Sequence, residues 1–275
     1  MKALLKSIGY SLLPERFLRK LKSVHYRRTV GAFAIETIPE YPMMSRLVQA
    51  DSAVLDIGAN IGIFSKCFSF LVGPEGEVFA FEPVPQTFEI LSANVKLLAF
   101  PNVIPLQYAV SDIHTTVTME IPSYQSRHAV DSRGAVYQGK GDNFYEAKII
   151  DNIRIEPSSK QVTVETMTVD SYFAEYRKPI SFIKCDVEGH ELQVIRGSLA
   201  TIRKYQPALL IEVMDNPRDP SSPAFQLFEV LTGEGYAPFS WKDGLLKRVT
   251  DDKDEINFFF LTSRHLSMVD SFLVS

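Results

Sequence analysis

The chain has 275 residues, 45% of them hydrophobic and 23% charged, with a formal net charge of −4. Such a composition excludes general disorder, and a chain this long buries enough apolar surface to fold without disulfide or metal staples. The first 30 residues hold eight Lys and Arg against Glu15 alone, so that segment is +7 and the remainder −11; an acidic body excludes nucleic acid as the main partner.

The N-terminal 50 residues read as a basic helical extension. Leu4, Leu5, Ile8, Leu12, Leu13, Phe17, Leu18 and Leu21 recur mostly three or four apart, the spacing of one helical face. Pro14 is expected to divide them into two short helices at best. The favoured role is a brace on the main domain. The alternative is a basic amphipathic surface on an anionic membrane, making residues 1–30 a peripheral anchor. The stretch lacks the small-residue cleavage pattern of a secretory signal. No apolar run reaches the ~18 residues of a membrane span. Cys67 and Cys185 lie in apolar segments, which predicts buried, reduced thiols and a cytoplasmic location.

From residue 51 to about 265 the pattern is that of one α/β domain. Strands are predicted at 53–57, 77–81, 103–110, 180–185 and 208–213. Helices are predicted at 62–71, 86–98 and 223–231, and one more carries Leu192, Ile195, Leu199 and Ile202. Two last strands, 236–240 and 256–262, flank a turn at 242–244 and lack a helical crossover, so they should pair antiparallel. Alternating strands and helices with continuous apolar strands predict a doubly wound, mostly parallel sheet with helices on both faces. Ligands then bind at the carboxyl ends of the strands. Residues 111–170 interrupt the alternation. They are read as an insertion shaping the substrate site, with 115–121 and 162–168 as paired strands around a polar run holding Arg127, Arg133 and Lys140.

The first strand runs into Asp56-Ile57-Gly58-Ala59-Asn60-Ile61-Gly62. A glycine directly after a strand permits a tight turn and close approach to a ligand. A dinucleotide fingerprint would place glycines at 58, 60 and 63; Asn60 and Ile63 stand at the last two. Asp56 would repel a pyrophosphate but attract a cation. At ~4 Å and an effective dielectric near 20 that sign is worth on the order of 4 kcal/mol before desolvation. A cationic cofactor is therefore favoured over a nicotinamide dinucleotide. Glu82, 24 residues after Gly58 in Phe81-Glu82-Pro83, sits at the offset where an acid grips a ribose. Asp112, after Ala109-Val110-Ser111, is a candidate for an adenine amino group or for a turn cap.

The fourth strand leads into Lys184-Cys185-Asp186-Val187-Glu188-Gly189-His190-Glu191. Asp186 and Glu188 share a side if the chain stays extended. His190 and Glu191 open the next helix, where acids also have a capping role. Glu212, near the end of the fifth strand, can bond an acceptor or cap a loop.

These segments, with Val194 and Gly197 downstream, resemble the FkbM family of S-adenosylmethionine-dependent methyltransferases over about residues 53–213. The resemblance implies a Rossmann-like class I methyltransferase fold, with a mostly parallel seven-stranded sheet and an antiparallel last strand. It implies S-adenosyl-L-methionine as cofactor, with methyl transfer to a hydroxyl of a sugar, glycolipid or other small product. It carries cofactor binding onto Asp56, Gly58, Ala59, Asn60, Gly62, Glu82 and Asp112. Asp186, Glu188 and His190 become the candidates for catalysis, His190 because its ordinary pKa lies near neutrality. A divalent metal on Asp186 with Glu188 or His190 is the less favoured arrangement. The competing classes are a nicotinamide-dependent oxidoreductase and a non-catalytic module that binds a partner or nucleoside.

Overall fold

The computed structural model describes residues 15–121, 160–249 and 255–274, with side chains from residue 24 onward, and the backbone of five two-residue strands between 123 and 149. In chain order the elements are α1 (Glu15–Ala32), α2 (Tyr41–Leu47), β1 (Ala53–Ile57), α3 (Ile63–Val72), β2 (Glu77–Phe81), α4 (Pro85–Leu97), β3 (Val103–Leu106), β4 (Ala109–Val110) and β5 (Thr116–Ile121). They continue with β6 (Lys160–Met167), α5 (Val169–Tyr172), β7 (Ile180–Cys185), α6 (Glu191–Arg196), α7 (Leu199–Tyr205) and β8 (Ala208–Glu212). The last are α8 (Pro223–Gly233), β9 (Ala237–Lys242), β10 (Leu245–Arg248), β11 (Asn257–Leu261) and α9 (Ser263–Leu266).

The main sheet has the order β10-β9-β11-β8-β7-β1-β2-β3. Its central strands β3, β2, β1, β7 and β8 are parallel, and β11 runs antiparallel between β8 and β9. Alternate side chains leave opposite faces of a strand, and both faces are covered. Val54, Phe182, Leu210 and Phe259 pack into one buried cluster; Leu55, Ile183, Leu209 and Phe260 pack into the other. Each such side chain contributes roughly 1.5–3 kcal/mol by leaving water. This is why the strands read as unbroken apolar runs.

Eight strands stand where seven were expected. The turn at Asp243 (φ 53°) and Gly244 (φ 77°) does not lead to the last strand; it closes a two-residue hairpin onto β10. Both turn residues take positive φ, the geometry that matches the twist of a hairpin. The strand expected at 103–110 also divides. β3 holds the sheet edge, where Pro105 lacks only an outward-facing donor. β4 crosses to a second sheet and pairs parallel with β6. There β5 and β6 form the expected pair, which runs antiparallel, Lys160 opposite Ile121 through Glu165 opposite Thr116. The helix expected across Leu192–Ile202 breaks into α6 and α7 at Gly197, where a Cβ would lie 2.0 Å from the Ser111 carbonyl oxygen. The polar run around Arg127, Arg133 and Lys140 lies outside the described residues.

The amphipathic stretch before Pro14 also lies outside them. After it, α1 runs unbroken for 18 residues, longer than expected, and its later turns pack on α4. Val30 is fully buried. The C-terminal carbonyls of α1 have no partner within the helix. Lys66 of α3 supplies one: its ammonium donates to the oxygens of Val30 (3.0 Å), Gly31 (3.1 Å) and Phe33 (2.8 Å). A cation there also opposes the negative end of the helix dipole. Lys66→Met should remove about 2–3 kcal/mol of stability in urea titration, since charged hydrogen bonds contribute roughly 1.5–3 kcal/mol. An unchanged midpoint would mean that the clamp carries no net stability. No helix among the described residues is long and apolar enough to cross a membrane.

Candidate active site

The carboxyl ends of β1, β2, β7 and β8 open into a cleft of about 830 Å³, within the ~300–1,000 Å³ typical of small-molecule sites. Its opposite wall is the segment after the middle of α1. His25, Tyr26, Thr29 and Phe33 line it, as do Ile38 and Glu40. Two long-range bonds hold this wall: Trp241 Nε1 donates to the Pro39 oxygen (2.7 Å), and Asn257 Nδ2 donates to Glu40 Oε1 (3.0 Å).

The glycine loop is stitched to its neighbours. Gly58 and Ala59 N–H both donate to the Phe81 oxygen, at 3.0 and 2.9 Å, while Asp186 N–H donates to the Ile57 oxygen at 3.0 Å. Gly58 has φ +81°, and a Cβ there would lie 1.8 Å from the Asp186 carbonyl oxygen. The glycine is therefore required by the loop after β7 crossing over it, in addition to the tight turn and ligand approach that the sequence suggested. Gly62, also at positive φ (+93°), faces Leu91 and does not line the cleft.

Glu82 lines the cleft at the tip of β2 and is 6% exposed. Its Oε2 accepts from Asn60 N–H (3.1 Å) and its Oε1 from Val84 N–H (2.9 Å). Burial outweighs those two bonds and pushes the carboxyl up to about 8. Each oxygen keeps further accepting capacity toward a ligand. Asp56 is fully buried behind the loop and forms no part of the cleft wall. Ser65 Oγ donates to its Oδ2 (2.6 Å), while Oδ1 has no hydrogen-bond partner. Burial raises its pKa, against the pull of Lys184. Asp112 is exposed and lies outside the cleft lining, although Ala109 and Val110 just before it line the cleft.

Asp186, Glu188 and His190 all line the cleft. Asp186 and Glu188 do not share an extended strand: β7 ends at Cys185, and Glu188 (φ 56°) and Gly189 (φ 99°) turn the chain back. His190 occupies the N-cap position of α6, with Nε2 2.9 Å from Ser111 Oγ. Glu191 is taken up structurally, its Oε1 accepting from Gly189 N–H at 2.9 Å.

Three cleft residues were missing from the sequence-derived candidates or left undecided there. Lys184 is 5% exposed, pairs with Asp186 Oδ2 at 3.0 Å and lies 4.7 Å from the Phe64 ring centroid. Burial works against its ammonium, but the Asp186 and Asp56 carboxylates outweigh it and hold its pKa above the usual lysine value. Glu212 is pushed up to about 8, by burial first and then by Asp186 beside it. Glu40 is raised by burial. A lysine inside the apolar run of β7 was the visible signal for this cluster. Carboxylates thus outnumber cations along the described lining, which suits a positively charged ligand.

The Methyltransferase FkbM domain matches residues 56–237, which include the glycine loop, Glu82 and the Asp186–His190 turn. The chain belongs to the FkbM methyltransferase family. Among curated relatives, the hexuronic acid methyltransferase AglP of Haloferax volcanii is 30% identical to this FkbM-family chain over 154 residues, covering 54% of the chain and 51% of that protein. Methyltransferase 1 of Beauveria bassiana is 26% identical over 153 residues, covering 54% and 58%. The chain thus spans a little over half the length of these relatives. The crystal structure of methyltransferase FkbM from Methylobacillus flagellatus KT has a TM-score of 0.47 at 15% identity, covering 78% of this chain and 44% of that one.

Proposed function

We propose that this chain transfers a methyl group from S-adenosyl-L-methionine to a hydroxyl of a sugar, glycolipid or other small molecule. The observation that carries this reading is Glu82. It is an acid buried at the tip of β2, hydrogen-bonded to the glycine loop and facing the cleft. It is placed to accept from ribose hydroxyls, while the surrounding carboxylates favour a sulfonium cation. Gly58, Ala59 and Asn60 supply the loop beside it, and Asp56 and Gly62 support that loop from behind. Asp186, Glu188 and His190 stand at the acceptor end of the cleft. The relative named for a hexuronic acid supports a sugar acceptor.

When bound, the cofactor supplies an electrophilic methyl group on a positively charged sulfur. The protein's own task is alignment of the acceptor oxygen, which can be worth roughly 7–11 kcal/mol. The cleft walls, including the α1 side, hold the acceptor and limit water. Removing the hydroxyl proton adds roughly 10²–10⁴-fold.

The test is equilibrium dialysis with labelled S-adenosylmethionine. Glu82→Ala should weaken binding by roughly 10–100-fold, since it removes the ribose acceptor and leaves the Asn60 and Val84 N–H groups without theirs. Glu82→Gln, which keeps an acceptor for one backbone N–H, should lose less. Wild-type affinity in both variants would overturn the site assignment, and binding of NADH instead would favour an oxidoreductase. Incubation with labelled cofactor and fractionated glycans, lipids and metabolites should label one hydroxyl-bearing fraction.

A further inference from the structure

Glu212 ends β8 on the same sheet face as Leu210, and both line the cleft. Across one strand boundary, β7 presents Lys184 on that face as the register partner of Leu210, and Asp186 follows the strand's last residue. Continuing the register past Cys185, the partner of Ile211, sets Asp186 beside Glu212, while its Oδ2 pairs with the Lys184 ammonium at 3.0 Å. Across the other boundary, the register partner of Glu212 is Asn257, which donates to Glu40. Glu188 lies on the loop above, and Asp56 lies behind Lys184 on β1. Glu255, ahead of β11, is held by Lys242 at 3.1 Å. Two carboxylates set side by side hold one proton more readily than they both ionise.

We infer that Glu212 takes the proton from the acceptor hydroxyl, and that the positive charge of the bound cofactor is what empties Glu212 for that task. The inference rests on the S-adenosylmethionine reading above. Among the neighbouring candidates, Asp186 is committed to Lys184, and His190 Nε2 is engaged with Ser111. In the ligand-free cleft burial and the neighbouring Asp186 carboxylate push Glu212 up to about 8, so Glu212 keeps its proton at neutral pH. A cation beside the pair favours its doubly ionised form, so the proton passes to solvent on binding. In the transfer step the acceptor's O–H bond breaks as its oxygen bonds the methyl carbon. The proton goes to Glu212, and the electrons of the broken C–S bond remain on sulfur, now neutral. One cation disappears as one carboxylate is protonated. The pair is thus back in its resting charge state when the products leave.

Calorimetry at pH 7 in buffers of different ionisation enthalpy reads the proton release directly. S-adenosylmethionine should release between half and one proton more than S-adenosylhomocysteine. Glu82 titrates in the same range, but its ribose partner is common to both ligands, so the difference isolates the effect of the cation. Glu212→Gln should still bind S-adenosylmethionine and should show no such difference. In single turnover with the labelled hydroxyl-bearing fraction it should be slower by roughly 10²–10⁴-fold, with Glu212→Asp recovering part of the rate. Equal proton release for the two ligands, or an unchanged difference or rate in Glu212→Gln, would overturn the inference. Failure of either ligand to bind wild-type protein would instead remove the cofactor reading itself.

Discussion

Gly58→Ala should lose more than about 4 kcal/mol of stability or fail to fold, the class of effect seen when a packed site is overfilled and its backbone strained together. Two independent constraints meet there. The residue sits at φ +81°, which any Cβ strains, and that Cβ would fall 1.8 Å from the Asp186 carbonyl oxygen. Neither can relax cheaply. The Gly58 N–H is held by Phe81, and the Asp186 N–H by Ile57. Relief would require the tips of β1 and β7 to part, which opens the cleft at its centre. Chemical denaturation of purified protein checks this, with Gly189→Ala as comparison. Gly189 also has positive φ (+99°), but open space surrounds its missing Cβ. Its loss should therefore be limited to the backbone term, roughly 1–2 kcal/mol. Equal losses in the two variants would mean that contact with Asp186 contributes nothing.

Lys184→Met should cost about 3–5 kcal/mol at pH 8, the range for removing one partner from a buried ion pair. Methionine keeps the packing against Phe64 and deletes the charge. Asp56 and Asp186 then lose their compensating cation, and so does Glu212. The deficit should depend on pH, and its sign follows from the shifts. Glu82 and Glu212 are already raised to about 8 in the folded protein, above the ordinary carboxylate value of 4.5. A carboxyl raised by folding binds more protons in the folded state. Its stabilising effect is complete below the ordinary value and is lost as pH rises through the folded one. Wild-type stability should accordingly fall between about pH 5 and 8. Without Lys184 the pKa values of Asp56 and Glu212 rise further, so the fall should steepen. The deficit should shrink toward pH 5.5, where Glu212 is protonated in both proteins. Urea midpoints at pH 5.5 and pH 8 measure it, and a deficit equal at both values would reduce Lys184 to a packing residue.

Much of this architecture was legible because each parallel strand, buried on both faces, is locally apolar and ends abruptly in a polar residue. That pattern located Asp56, Glu82 and Asp186 at the sheet's carboxyl edge. The errors came where a distant contact outweighed the local pattern. Leu192 to Ile202 carries helical spacing throughout, yet Gly197 must fit beneath the Ser111 carbonyl, and the helix divides. Val103 to Val110 reads as one strand, but Ala109 and Val110 are claimed by Thr166 and Met167 of the second sheet.

Periodicity and strand-end chemistry alone determined the α/β order, the mostly parallel sheet and the edge at which a ligand would sit, since those depend on neighbours a few residues apart. Only the tertiary structure decided that Lys184, Asp186 and Glu212 form one charge cluster. The same holds for Glu40, brought in from 172 residues before Glu212 and joined to its strand partner Asn257, and for His25 and Tyr26, which close the far wall. The physical reason is that burial and charge coupling are set by which groups the fold brings together, whereas hydrophobic spacing records only which face of its own element a residue occupies.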